Sequence, residues 1–304
     1  MTVAEWIDRT VARFVDAGLH YGHGTDNARD EAAWLVLHVI QARLDGQFSD
    51  WGAPVTPGQA AEIVRLAEAR CSSGEPLAYL LGRAWFAGLE FEVTPDVLVP
   101  RSPLAELILD EFRPWVEPRR VRRVLDLCTG SGCIAIAVAR HMPWVQVDAT
   151  DISPAALAVA ARNVERHALS KRITLLESDL FQSVPAGRYD LIVANPPYIP
   201  GGALEELPRE YRCEPALGLV SGADGLDAVL EILAEAPHYL APDGILVCEV
   251  GESEQRLDSA LPAVPFLWLE FERGGSGVFV LNHEQLEAAQ PAVRALTRTR
   301  RHVA

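Results

Sequence analysis

From Arg120 onwards the chain alternates short apolar runs with stretches of helical spacing, and no other feature narrows its fold as much. The runs are Arg123–Leu127, Gln146–Thr150, Ile173–Glu177, Leu191–Ala194 and Ile245–Val250. Strands alternating with helices predict a doubly wound α/β sheet. One of the intervening helices opens at Ser153-Pro154, a cap followed by a proline in the first turn. The last two runs, Leu267–Glu272 and Gly277–Leu281, are joined only by Arg273-Gly274-Gly275-Ser276. A glycine-rich link that short makes them an antiparallel hairpin, so the sheet should hold seven strands.

The residues before this pattern read differently. Thr2 and Glu5 have capping-box spacing ahead of Trp6, Ile7, Val11 and Phe14 on one helical face. Gly18–Asn27 reads as a loop and Ala28–Leu44 as a second helix. A third opens on Thr56, Pro57 and Gln59 and closes at Ser72-Ser73-Gly74. Phe86–Val93 predicts a hairpin. The expected division is a helical domain over 1–82, a β-hairpin linker over 83–101 and an α/β domain over 102–304. A length of 304 residues fits two domains, and 49% hydrophobic residues supply the core they need.

Charge limits the partners. The net charge of −15 opposes a broad grip on naked nucleic acid, where phosphate neutralisation supplies most of the affinity, and permits a basic protein. Arg294, Arg298, Arg300 and Arg301 make a basic tail, expected to be a frayed, solvated end. Asp8 and Glu5 follow Met1 where an export signal would be basic and apolar, and no apolar run is long enough for a membrane span. Five scattered cysteines without a CxxC fit free thiols in a reducing cytoplasm. His20 and His23, in a Gly/Asn loop without further ligands, predict no metal site.

Three strand ends carry chemistry. Asp126-Leu127-Cys128-Thr129-Gly130-Ser131-Gly132 follows the first strand and opens a helix, where glycines let the backbone approach a ligand. The spacing fails the dinucleotide fingerprint and resembles the S-adenosylmethionine loop D-x-G-x-G-x-G, with Cys128, which cannot supply an easy positive φ, in the first glycine position. Asp151, 19 residues past Gly132 and followed by Ile152, is placed to accept both ribose hydroxyls. Asp179 and Leu180, after the third strand, fall where adenine would lie. The most specific feature is Asn195-Pro196-Pro197-Tyr198 after the fourth strand. Two prolines end the strand and remove two N–H donors. The Asn195 side-chain oxygen and the Pro196 carbonyl can then accept both hydrogens of a planar –NH₂ group, with the Tyr198 ring stacked beside it.

These residues resemble the N-P-P-Y amino-methyltransferases, whose acceptors are DNA adenine, RNA guanine or protein glutamine. Five parallel strands ending in an antiparallel pair is likewise the pattern of class I S-adenosylmethionine-dependent methyltransferases, a Rossmann-like fold. Pro76–Arg83, Phe86–Phe91, Val97–Arg101, Glu214–Leu219 and Gly222–Leu226 are similar to the bacterial protein glutamine methyltransferases, so the resemblance covers nearly the whole chain. One branch of that family modifies class 1 release factors and usually reads P-R-P-x-T-E, where this chain has Pro100-Arg101-Ser102-Pro103-Leu104-Ala105-Glu106. The Leu19–Asn27 loop, Ala84-Trp85-Phe86 and Gly274–Phe279 look instead like the branch that modifies large-subunit ribosomal protein L-3.

The resemblance implies transfer of a methyl group from S-adenosylmethionine to a glutamine amide nitrogen of L-3. Asn195, Pro196 and Tyr198 would be catalytic, and Asn195 through Tyr198 would hold the substrate. The cofactor would lie against Asp126, Cys128 through Gly132, Asp151, Ile152, Asp179, Leu180 and Asn195. No general base stands near the motif in the sequence. The alternatives are the release-factor enzyme, a nucleic-acid amino-methyltransferase, which the charge opposes, and a non-enzymatic cofactor-binding assembly factor.

Overall fold

The computed structural model describes residues 1–42 and 48–301. The chain divides into two units, Met1–Ala84 with Leu207–Cys213, and Trp85–Glu206 with Glu214–Ala304. It therefore leaves the helical unit after Ala84 and supplies it with seven more residues after 122 intervening ones.

The helical unit comprises α1 (Val3–Asp16), α2 (Ala28–Val39), α3 (Pro57–Ser73) and α4 (Leu77–Leu81). Both expected capping boxes form, Thr2 with Glu5 and Thr56 with Gln59, each satisfying two N–H groups that a helix start leaves bare. Asn27 caps α2, which stops at Val39; Leu44, the expected end, lies outside the described residues. Gly74 ends α3 at φ 71°, and a Cβ there would stand 1.9 Å from Arg209 Nε, so the returning segment packs where only glycine leaves room. Its strongest tie is ionic. Arg70, 1% exposed, donates to Glu31 at 2.7 Å, to Glu210 at 3.2 Å and to the His20 carbonyl at 2.9 Å. The His20 and His23 rings both lie beside Tyr211, with centroids 5.6 and 4.6 Å away.

β1 (Arg83–Phe86) and β2 (Leu89–Glu92) pair across Ala87 and Gly88, both at positive φ as a tight hairpin turn requires. Then come α5 (Leu104–Leu109), β3 (Arg123–Leu127), α6 (Cys133–His141), β4 (Gln146–Asp151), α7 (Pro154–Arg166), β5 (Ile173–Glu177) and β6 (Tyr189–Ala194). The remainder is α8 (Ala216–Leu219), α9 (Asp227–Tyr239), β7 (Leu240–Glu249), α10 (Glu254–Ala260), β8 (Leu267–Trp268), β9 (Val278–Asn282) and α11 (His283–Arg301). The seven-stranded sheet has the order β5-β4-β3-β6-β7-β9-β8; β3 to β7 are parallel, and β9 is antiparallel to both β7 and β8. The expected closing hairpin is present, although β8 keeps only two residues.

Alternation along the strands builds two cores. Val124, Val147 and Val193 pack with α5, α6 and α7, while Leu125, Leu127 and Ile192 pack with α9, α10 and α11. The basic tail is not a frayed end. It belongs to α11, whose Leu286, Ala289 and Val293 are buried, and Arg300 donates to Asp224 and Asp227. Apolar residues three and four apart outweigh the solvation of the arginines beside them. Order in the sheet also locates the site. The chain builds outward from β3 to β5, then returns to β6 on the other side of β3. The carboxyl ends of β3 and β6 meet at this switch point, where an open α/β sheet leaves a crevice.

Candidate active site

A cavity of about 660 Å³ opens at that switch point. Its wall holds Cys128, Thr129, Gly130 and Ser131 after β3, and Asp151 and Ile152 at the end of β4. Asp179 and Leu180 follow β5, and Asn195, Pro197 and Tyr198 follow β6. Three residues expected at the site, Asp126, Gly132 and Pro196, do not line it.

Asp126 is fully buried and works from beneath the loop. Its Oδ2 accepts the Thr129 hydroxyl at 2.5 Å and the Ala135 N–H, at the start of α6, at 3.0 Å. Burial pushes its carboxyl up to about 7, against the pull of those two bonds. Gly132 faces α7 instead: a Cβ there would stand 3.3 Å from the Ala160 Cβ. The loop needs positive φ at three alternate residues, 59° at Cys128, 55° at Gly130 and 79° at Gly132. Cys128 thus adopts the conformation its side chain disfavours. Burial holds its thiol well above the ordinary value and that of Cys133 at about 12, so neither offers a thiolate.

Asp151 joins loop to helix. Its Oδ2 accepts the Gly130 N–H at 2.8 Å and its Oδ1 the Ser153 N–H at 2.9 Å, so it both starts the turn into α7 and borders the cavity. Each oxygen keeps a lone pair for a further donor. A Cβ at Gly130 would meet nothing within 4 Å, so the backbone is bare to the cavity there.

Around β6 the two prolines act as the sequence suggests. The strand ends at Ala194, and the chain then pairs with the end of α8: Tyr198 and Ile199 N–H both donate to the Leu219 carbonyl, at 3.1 and 2.8 Å. Among the described residues, no group hydrogen-bonds the Asn195 side-chain amide, and no donor reaches the Pro196 carbonyl. The Pro196 ring is buried behind the wall, as alternation along an extended chain requires.

Reading the sequence missed one acid. Glu249, the last residue of β7, lines the cavity at 5% exposure. Its Oε2 accepts the Ser102 hydroxyl at 2.5 Å and its Oε1 the Tyr198 hydroxyl at 3.4 Å. Burial raises its carboxyl to about 7, with Ser102, Arg101 and Tyr198 opposing. An acid closing the apolar run Ile245–Val250 was the available signal. The motif therefore has a carboxylate beside it after all. Arg101, next to Ser102, donates to both oxygens of Glu214 at 2.6 Å, which fixes this wall.

A family model described as the methyltransferase small domain matches residues 105–207, and one described as the PrmC N-terminal domain matches residues 5–82. The ribosomal protein uL3 glutamine methyltransferase of Xanthomonas campestris is 47% identical over 300 residues, covering 98% of this chain and 97% of its own length. The chain belongs to the uL3 glutamine methyltransferase family. A family member from Neisseria meningitidis is 46% identical over 286 residues, 94% of each chain. Membership makes the chain an S-adenosylmethionine-dependent protein glutamine methyltransferase, the branch expected from Leu19–Asn27 and Gly274–Phe279. Among solved structures, the hMettl16 catalytic domain bound to a MAT2A 3′UTR hairpin shares the fold. It has 16% identity and a TM-score of 0.53, covering 83% of this chain and 92% of that one.

Among the described residues, no helix is long and apolar enough to cross a membrane, and no cluster of three His, Cys, Asp or Glu side chains could hold a metal ion.

Proposed function

We propose that this chain methylates the side-chain amide nitrogen of a glutamine in ribosomal protein uL3, with S-adenosylmethionine as donor. One observation carries the reading: the Asn195 side-chain amide lines the cavity beside Tyr198 at the sheet's switch point and, like the carbonyl of Pro196 next along the chain, lacks a partner among the described residues. Two acceptors of that kind suit the two hydrogens of a primary amide. The names of the relatives, each a uL3 glutamine methyltransferase, support the acceptor.

The cavity suits the donor. The bare backbone at Gly130 leaves room for close approach, and the Asp151 carboxylate has lone pairs for vicinal hydroxyls. Ile152, Leu180 and Phe181 give an apolar wall for a purine, beside Asp179. Cys128 through Ser131, Asp151, Ile152, Asp179, Leu180 and Asn195 would hold it, with Asp126 and Gly132 shaping the loop from behind. When bound, S-adenosylmethionine supplies an electrophilic methyl and a neutral leaving group.

The protein's part is orientation. An amide nitrogen is a poor nucleophile because its lone pair is delocalised into the carbonyl. Asn195 Oδ1 and the Pro196 carbonyl accept its two hydrogens and aim the lone pair, while the Tyr198 ring stacks on the amide plane. Such preorganisation in a dry site lowers the barrier without reorganisation during reaction. The helical unit is assigned to acceptor recognition. The charge of −15 favours encounter with a basic ribosomal protein, and such an acceptor puts the enzyme in the cytoplasm with assembling ribosomes.

Incubation with labelled donor and uL3, a class 1 release factor or nucleic acid tests this. Label should appear on a uL3 glutamine. Asn195→Ala should reduce transfer about 100-fold or more while donor affinity changes far less. Label on a release factor or on nucleic acid, and not on uL3, would overturn the reading.

A further inference from the structure

Tyr198 is held from every side by residues far along the chain. Its carbonyl accepts the Ser253 hydroxyl at 2.7 Å, and a Cβ at Gly225 would stand 2.1 Å from that carbonyl oxygen. Its ring lies on Gly251, where a Cβ would come within 2.7 Å of Cε2. Gly225 and Gly251 both sit at positive φ, 85° and 46°. Backbone, ring face and carbonyl are thus fixed by packing. The remaining freedom, the swing of the ring's outer end away from Gly251, is governed by the hydroxyl, and that hydroxyl donates to Glu249.

We infer that Glu249 is a positioning residue for methyl transfer: its ionised carboxylate, anchored by Ser102, orients the Tyr198 ring against the acceptor amide. The inference deepens the reading of Asn195–Tyr198 as the amide holder and rests on it. Ser102 is itself fixed, since its oxygen accepts the Leu104 N–H at 3.1 Å while its hydroxyl donates to Glu249. Both bonds to Glu249 therefore need an acceptor, and only the ionised carboxylate offers two oxygens that accept without donating. A protonated carboxyl turns one oxygen into a donor facing another hydroxyl.

Other charged and titratable groups face the same place. Arg101, before α5, lies close enough to favour the ionised form but is committed to Glu214, which precedes α8. Tyr198 follows β6. Cys248, the neighbour on β7, is buried with its thiol held well above the ordinary value and carries no charge. With the carboxyl at about 7, the ionised form is lost as pH falls through neutrality, and the rate should fall with it.

The test is kcat against pH from 5.5 to 9 at saturating donor and acceptor, for the wild type, Glu249→Gln, Tyr198→Phe and the double variant. The wild type should show an acid limb centred near pH 7. Glu249→Gln, whose amide donates where the carboxylate accepted, should lower kcat about 10-fold at pH 8 and remove the limb. Tyr198→Phe takes away a single hydroxyl and keeps the ring; it should remove the limb too, and the double variant should be no slower than Glu249→Gln alone. Glu249→Asp should restore part of the rate. Donor affinity, measured alongside, should stay close to wild type, and the melting temperature should not fall in any variant. A limb that persists in either single variant, or losses that multiply in the double variant, would overturn the inference. If Asn195→Ala still transfers methyl groups, it is the amide-holder reading that fails; if that variant is dead while the limb persists, only the role of Glu249 falls.

Discussion

Cys128 holds a left-handed backbone conformation, φ 59°, in a loop whose other two turning points are glycines. A β-carbon in that region costs about 1–2 kcal/mol, and the unfolded chain gives part of this back because cysteine has less freedom to lose than glycine. Cys128→Gly should therefore raise the melting temperature by about 2 °C. Cys128→Val, with a branched Cβ, should lower it. Thermal unfolding followed by circular dichroism reads both. The strain lies in a loop that borders the cavity, so the wild type gives up stability where a ligand is expected to bind.

Among the elements, the ones settled by neighbouring residues could be foreseen and those settled across long distances could not. Thr2, Asn27, Thr56 and Ser153 start helices through bonds to residues two or three positions on, and the apolar runs of β3 to β7 carry their own burial pattern. Glu249 and Tyr198 are 51 residues apart, and Arg70 and Glu210 are 140 apart, so no local spacing announces either pair. Asp126 is legible as part of the loop but not as its underside, because the motif gives order along the chain and not which way a carboxyl points. The end of α11 is hidden for a related reason. Four arginines dominate it, while the buried Leu286, Ala289 and Val293 that hold the helix lie earlier. The ion cluster of the helical unit gives a direct test. Arg70→Met leaves Glu31 and Glu210 buried without their cation, and it should cost about 3–5 kcal/mol in chemical denaturation. A loss below about 1 kcal/mol would mean that the two acids find water or protons easily.

For the molecule as a whole, buried carboxyls set the response to pH. Asp126 and Glu249 ionise at about 7 in the folded chain against ordinary values of 3.8 and 4.5, and burial raises Asp151 and Glu31 in the same direction. Between those limits the folded state binds more protons than the unfolded one, so stability falls as pH rises from about 5 to 7. Glu210 and Asp224, which are lowered, contribute the opposite slope only near and below the ordinary carboxylate range. The melting temperature should therefore be higher at pH 5 than at pH 8, and Asp126→Asn with Glu249→Gln should flatten the difference. The same proton on Glu249 that favours the fold should silence the reaction, which separates the pH of greatest stability from the pH of greatest rate.

The helical unit is discontinuous, since Leu207–Cys213 belongs to it although the rest of its chain ends at Ala84. Exchange of the helical unit between relatives is thereby constrained. A chimera joined at Ala84 alone would pair the Arg70 and Glu31 of one parent with the Glu210 of another, and would place Gly74 against a foreign Arg209. A graft that carries residues 207–213 along with residues 1–84 keeps those partners together, so three crossovers within one gene are the fewest that transfer the helical unit whole.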